Sequence, residues 1–301
     1  MAPPMELRIK SLTPVFGAKV SGFDARVPLP LATRAGILAA FDEFSVLVFH
    51  DQPLTDEQQI TFSESLGPLE LTLPGVVGAG SKIVRVSNMT PNGALKEPGG
   101  HLALFGKANL LWHSDSTFRA APAKGSILSA RQIALRGGDT EYASTRAGYD
   151  SLSPTMKRRL DGFVAVHSIA TSRRKIDPRA VNAEQEKALP PVPQALVRRN
   201  PVNGRKALVL GSHICAIAGM ADNEAQALLD ELTAIATQPA FTYRHVWRND
   251  DLVMWDNRAV LHRGHPYDEI RERRLLVRTT LAGDGPTATD DGVIAQEGAN
   301  A

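Results

Sequence analysis

The chain has 301 residues, 43% hydrophobic and 22% charged, enough to bury a sizeable core in one large domain or two small ones. Its 34 basic and 32 acidic residues leave a net charge of +2, which gives no electrostatic reason to expect nucleic acid or a membrane surface as the main partner. One cysteine, Cys215, excludes an internal disulfide and a cysteine-rich zinc site. The first residues lack an apolar signal region and no later stretch has the ~18 apolar residues of a spanning helix, so a cytoplasmic location is the default.

The first predicted element is a helix from Leu31 to Phe44, opened by Pro28-Leu29-Pro30, with Leu31, Ala35, Leu38 and Phe41 on one apolar face. Ser45 to Phe49 follows as a short apolar strand. Thr55-Asp56-Glu57-Gln58 is a capping-box pattern opening a second helix, which carries Ile60 and Leu66 and stops at Gly67. Both helices read as packing elements. Segments 74–80 and 88–106 are rich in Gly, Pro and Asn around a strand at 83–86, and read as loops with Lys82, Lys96 and His101 solvated. Gly78-x-Gly80 lacks the third glycine and the following helix of a dinucleotide fingerprint.

From Asn109 the pattern turns to strands, at 109–118, 126–131, 140–144 and 164–168, with a short helix opened by Ser153-Pro154 and ended by Gly162. Residues 171–192 are charged and Pro-rich, include Arg173-Arg174-Lys175, and read either as a solvated loop or as a lid-like insertion. Asn203-Gly204 turns a hairpin, and Asp222 caps a helix whose Ala225, Leu228, Leu229, Leu232 and Ile235 form a core stripe. Strands at 241–247, 252–255, 259–262 and 274–281 complete the set. A single domain over 1–285 and a mobile tail over 286–301 follow. Many short strands with few interspersed helices predict a mainly β fold with flanking helices around a double-stranded β-helix, or jelly-roll, core. In such a barrel, residues far apart in sequence meet.

The chemistry concentrates in Trp112-His113-Ser114-Asp115-Ser116-Thr117-Phe118. On an extended strand, side chains at i and i+2 point to one side, so His113 and Asp115 can aim at a common point. His262, in Val260-Leu261-His262-Arg263, would complete a two-histidine, one-carboxylate facial set. Such a set leaves coordination positions open and is the usual ligation of non-haem Fe(II) oxygenases. A lone H-x-D triplet occurs by chance. Here Asn109 precedes it, Gly137-Gly138-Asp139-Thr140 follows, and Arg274 and Arg278 come after His262, which together form an ordered signal. A 2-oxo dicarboxylic acid needs a cationic fork for its far carboxylate, and arginine supplies two parallel charge-assisted bonds. Residues 274, 276 and 278 share a strand face, so Arg274 and Arg278 can both point inward, whereas Arg271 and Arg273 read as basic surface.

These stretches, with Trp255-Asp256-Asn257-Arg258, Phe16-Gly17-Ala18 and Leu54-Thr55-x-Glu57-Gln58, resemble the Fe(II)/2-oxoglutarate-dependent dioxygenases of the taurine dioxygenase and 2,4-dichlorophenoxyacetate dioxygenase group. The resemblance runs from about residue 12 to 283 and is closer to the herbicide-degrading branch. It implies His113, Asp115 and His262 as iron ligands and Thr140 and Arg274 as holders of the far carboxylate of 2-oxoglutarate. It places Asn109 beside the metal-bound co-substrate or the substrate head group, Arg278 on the acidic group of the substrate, and His213 in the substrate pocket. A hydrogen-bonded turn histidine is the plain alternative for His213. Arg274 and Arg278 stand 12 and 16 residues after His262 where some relatives show 11 and 15, so Arg273 competes with Arg274 as the anchor.

The implied reaction consumes Fe(II)-bound 2-oxoglutarate and O2, with ascorbate supportive, and hydroxylates the carbon beside the ether oxygen of an aryloxyalkanoate. The product collapses to a phenol and glyoxylate, with succinate and CO2 released. The implied partner is a small-molecule carboxylate substrate, and family members form homo-oligomers. Leu66 to Pro74 lacks the histidine that taurine-type enzymes place there, which disfavours an alkylsulfonate or sulfate ester, the alternative within the same chemistry. A zinc hydrolase and an inactive jelly-roll binding module stand as readings from other classes.

Overall fold

The computed structural model describes residues 6–72, 79–97, 107–181, 186–187, 189–289 and 292–294. Its largest sheet contains β1 (Arg8–Ser11), β2 (Ala18–Ser21), β3 (Val46–Phe49), β4 (Val84–Ser87) and β5 (Gly125–Gln132), joined by two later strands described below. The next strands are β6 (Thr140–Ser144), β7 (Val164–His167), β8 (Val192–Ala195), β9 (Val197–Arg199), β10 (Lys206–Leu208), β11 (Ile214–Ile217) and β12 (Thr242–His245). Last come β13 (Leu252–Asp256), β14 (Val260–Gly264), β15 (Leu275–Leu281), β16 (Ala288–Thr289) and β17 (Gly292–Val293). The large sheet has the order β1-β2-β3-β13-β5-β15-β4, antiparallel except between β2 and β3. A smaller antiparallel sheet, β12-β6-β14, packs across it.

Strand alternation sorts the core into layers. Along β13, Leu252 and Met254 pack on α1 (Leu31–Phe44) and α2 (Asp56–Leu66), whereas Val253 and Trp255 turn inward onto Tyr142 and Val260 of the small sheet. On that sheet Ala143 and Leu261 face the opposite way, onto α3 (Thr145–Ser151), α4 (Pro154–Leu160) and α6 (Asp222–Ala236), with α5 (Ile169–Arg174) beside them in sequence. This is the jelly-roll sandwich with helices on its outer faces.

Helix α2 is capped as predicted, with Thr55 N–H donating to Gln58 Oε1 at 2.9 Å and Gln58 N–H to Thr55 Oγ1 at 3.2 Å. Its buried face is partly polar: Gln59 Nε2 donates to Val277 O at 2.8 Å and Ser63 Oγ bonds Thr279 Oγ1 at 2.6 Å. The helix therefore fastens β15, the strand that carries Arg278, by directional bonds as well as by packing.

Several expectations need correction. The buried face of α1 is Ile37, Ala40 and Phe41, and Leu31 is 81% exposed because it occupies the first turn, beyond the edge of the sheet that the helix covers. Asp222 is the first helical residue of α6; the cap is Ala221, with no side-chain bond. Residues 171–174 are no exposed loop but the end of α5, capped by Ser168 and burying Ile169, Ala170 and Ser172. In the segment beyond 286, Thr287 is 1% exposed, accepting from Ala195 N and donating to Gln194 Oε1 at 2.6 Å, so the composition hid a polar anchor. His101 and parts of 74–80, 88–106 and 171–192 lie outside the described residues, as do 295–301.

Candidate active site

His113 and His262 meet through an isolated antiparallel bridge, His113 N–H donating to His262 O at 3.0 Å and His262 N–H to His113 O at 2.8 Å. The pairing sets the two imidazoles side by side, centroids 4.1 Å apart. Asp115 follows two residues later, yet the predicted strand over 109–118 does not form. Residues 108–110 make one 3-10 turn, 115–118 are a turn, and Ser116 has a left-handed φ of 57°. Side chains replace the missing ladder: Ser114 Oγ donates to Val260 O at 2.7 Å and Asp115 N–H to Asn257 Oδ1 at 3.1 Å. One ligating atom from each of His113, Asp115 and His262 lies within 4.8 Å of the other two, and all three residues are buried.

The donor set fits a divalent transition metal. His113 Nδ1 donates to Leu111 O at 2.7 Å, which fixes the tautomer and leaves Nε2 with its lone pair. Burial holds both His113 and His262 below the usual imidazole range, so they are neutral. Burial pushes the Asp115 carboxyl up, but the Arg278 guanidinium beside it, the largest opposing influence, helps hold the group far below the usual carboxylate range. The carboxylate is also oriented by Ser126 Oγ, which donates to Asp115 Oδ2 at 2.7 Å. Asn257 ties this together, accepting from Trp255 Nε1 at 2.9 Å and donating from Nδ2 to Ser126 Oγ at 2.9 Å.

Arg274 lies against the Gly137-Gly138 turn that leads into Thr140. Arg274 is 7% exposed while Arg273 is exposed, so of the two adjacent arginines only Arg274 faces the interior. Its Nη2 donates to Gly138 O at 2.8 Å, and the guanidinium lies over Tyr267, 5.6 Å from the ring centroid. Gly137 and Gly138 both have positive φ, 73° and 71°, and a Cβ on Gly138 would come within 3.0 Å of Arg274 Nε. The Gly-Gly pair of the motif therefore turns the chain and makes room for the arginine. Thr140 begins β6, is buried, and accepts from Trp247 Nε1 at 3.0 Å. Arg278, on β15, reaches Asp115 Oδ1 with Nη1, and among the described residues its buried Nε has no hydrogen-bond partner.

His213 is 3% exposed, its Nδ1 is 3.2 Å from Thr117 Oγ1, and its ring stands edge-on to those of His113 and Phe118. The structure thus puts it beside the triad. Asn109 sits in the 3-10 turn at 108–110, two residues before Leu111, whose carbonyl accepts from His113 Nδ1. A cavity of about 460 Å³ adjoins the Asp115 turn, walled by Phe118, Ala121, Leu189, Pro190 and Val192, with Glu70 at its edge. Ser116 Oγ donates to Glu70 Oε2 at 2.7 Å, and burial raises the Glu70 carboxyl.

Sequence reasoning missed four contributors. Asn257 lies inside a motif it had singled out, and Arg173 in a basic run read as exposed; Ser126 and Trp247 carried no signal of their own. The Arg173 guanidinium is pushed down to about 10, chiefly by burial and then by Arg278, with Asp115 opposing, and its charge is felt at His113 and His213. It belongs to the field of the site.

Known proteins carry the same arrangement of fold and motif. The chain is 39% identical over 282 residues to the alpha-ketoglutarate-dependent 2,4-dichlorophenoxyacetate dioxygenase of Cupriavidus pinatubonensis, covering 92% of this chain and 98% of that one. It is 36% identical over 300 residues to the (S)-phenoxypropionate/alpha-ketoglutarate-dioxygenase of Sphingobium herbicidovorans, covering 96% and 99%. The crystal structure of AAD-2 in complex with Mn(II) and N-oxalylglycine superposes with a TM-score of 0.88 at 41% identity, over 95% of this chain and 100% of that one. Residues 8–280 match the family described as taurine catabolism dioxygenase TauD, TfdA family, a span that includes His113, Asp115, Thr140, His262, Arg274 and Arg278; the chain belongs to that family.

Proposed function

We propose that the protein is an Fe(II)- and 2-oxoglutarate-dependent dioxygenase that hydroxylates the carbon next to the ether oxygen of an aryloxyalkanoate, releasing a phenol and glyoxylate with succinate and CO2. The observation that carries this is the buried His113-Asp115-His262 set with Arg278 bonded to Asp115 and a second enclosed arginine, Arg274, four residues earlier in the chain. Two cationic anchors suit two acids, the dicarboxylate co-substrate and a carboxylate substrate. The relatives described above are named for 2,4-dichlorophenoxyacetate and (S)-phenoxypropionate.

His113, Asp115 and His262 would hold the iron, which when bound supplies oxygen activation coupled to decarboxylation of 2-oxoglutarate. Thr140 and Arg274 bind the far carboxylate, and Asn109 lines the approach to the co-substrate. Arg278 turns its unpartnered Nε to the substrate's carboxylate. Phe118 lines the cavity that would receive the aryl ring, with His213 packed against the Phe118 ring, and the chain's further part is to keep water from the reacting carbon. Residues 171–192 act as a lid, a reading supported by Arg173 at their start and by Leu189 and Val192 in the cavity wall. A cytoplasmic homo-oligomer is the assembly we infer from the family, to be checked by light scattering.

The test is a paired assay on purified protein with Fe(II), ascorbate and 2-oxoglutarate under air. Phenol and succinate should rise together with phenoxyacetate or its dichloro form, and both should vanish in His113→Ala. Succinate formed with taurine alone would move the protein to the sulfonate branch.

A further inference from the structure

Trp247 follows β12 and is 6% exposed, packed with Tyr142 and Trp255 between the two sheets. Its Nε1–H donates to Thr140 Oγ1 at 3.0 Å. An indole nitrogen can only donate, whereas a threonine hydroxyl has one proton and two acceptor lone pairs. Accepting from Trp247 therefore occupies one lone pair and directs the hydroxyl proton away from the indole. Among the described residues no other hydrogen bond engages this hydroxyl, so its proton is available to an acceptor other than the indole.

The indole is itself held in place. The His245 ring stands against it edge-on, centroids 4.6 Å apart at 89°. Both nitrogens of His245 are engaged, Nε2 with Asp251 Oδ2 at 3.0 Å and Nδ1 with Tyr243 OH at 3.1 Å. Asp251 also takes His50 Nδ1 at 2.5 Å and the Arg248 N–H at 3.0 Å. A saturated polar network therefore backs one aromatic ring, which backs the indole, which aims one hydroxyl.

We propose that Trp247 is a positioning residue for the co-substrate, holding the Thr140 hydroxyl so that its proton is presented to the far carboxylate of 2-oxoglutarate. This rests on the assignment of Thr140 and Arg274 to that carboxylate. A tryptophan serving only to fill the core would need no donor at this point, and phenylalanine would replace it without consequence for the co-substrate.

The experiment uses Mn(II)-loaded protein, which binds co-substrate without turning over, titrated calorimetrically with 2-oxoglutarate. Trp247→Phe should weaken 2-oxoglutarate about 3–10-fold, the worth of one hydrogen bond, and leave Mn(II) affinity unchanged. Trp247→Phe combined with Thr140→Val should bind no more weakly than Thr140→Val alone, because the indole acts through the hydroxyl. With iron, KM for 2-oxoglutarate should rise in Trp247→Phe while KM for phenoxyacetate stays. Unchanged 2-oxoglutarate affinity in Trp247→Phe, or losses that multiply in the double variant, would overturn the proposal. Thr140→Ser and Thr140→Val leave the indole in place and test the same idea should Trp247→Phe not fold: Ser must keep the affinity and Val must lose it. If Arg274→Met and Thr140→Val both bind 2-oxoglutarate like the parent, the site assignment itself fails and the proposal with it.

Discussion

Four consecutive residues, Trp255 to Arg258, feed two buried polar clusters that differ in kind. Trp255 and Asn257 face the triad, where Asn257 links the Asp115 backbone, Ser126 and the Trp255 indole. Asp256 and Arg258 point the other way, where Arg258 Nε donates to Asp256 Oδ1 and Nη2 to Asp42 Oδ1, each at 2.8 Å. Arg146 completes that second cluster by capping α1, with Nη1 3.0 Å from the carbonyls of Asp42 and Glu43. The second cluster pairs the Arg258 guanidinium with two carboxylates and ties the end of α1 to the sheet. In the first, one possible ligand atom from each of His113, Asp115 and His262 gathers within 4.8 Å of the other two. Buried charge alone marks neither function nor structure; what distinguishes the two is whether the groups pair off as ions or converge as possible ligands.

If that contrast is right, the two clusters break in different ways. Arg258→Met leaves Asp256 and Asp42 uncompensated and should destabilise the fold by about 3–5 kcal/mol in urea denaturation, with metal affinity per folded molecule unchanged. Asn257→Ala should do the reverse in emphasis, weakening Mn(II) or Fe(II) binding about 10–100-fold through loss of ligand orientation, as read by metal titration. A loss of metal affinity in Arg258→Met as large as in Asn257→Ala would erase the distinction.

Arg278→Lys keeps the charge but loses the fork, so KM for phenoxyacetate should rise about 10-fold while 2-oxoglutarate binding to the Mn(II) form holds. A rise confined to 2-oxoglutarate would exchange the roles of the two arginines. An effect confined to acid pH concerns His167 on β7, fully buried, with both ring nitrogens unpartnered among the described residues. Burial pushes it down from 6.5 to about 3. The unfolded chain takes up this proton first, so stability is full above about 6.5 and falls as pH drops toward 3, by at most about 1.4 kcal/mol per pH unit. His167→Leu should flatten that acid limb, and an unchanged slope would show that other groups cause it.

Local chemistry announces itself in the chain. The capping box at Thr55, the Ser153-Pro154 helix start, the Asn203-Gly204 hairpin and the apolar strands all lie where turn and period rules put them. The meeting of His113, Asp115 and His262 was legible too, because a facial set needs particular residue types and these three lie together in the structure. Where the reading missed, longer-range forces had decided. The 109–118 strand gave way to a turn because Asn257 and Val260 accept from its backbone and side chain, and Leu31 lies exposed because the sheet ends before the helix does.

The sequence by itself determined the elements, the jelly-roll class and the set of chemically able residues, since these follow from local propensity, hydrophobic period and side-chain type. Only the tertiary structure decided that Arg274 is enclosed and Arg273 is not, that Arg173 faces the site, and that Trp247 aims the Thr140 hydroxyl. Burial and hydrogen-bond direction depend on which segments the fold brings together, and no local pattern encodes that.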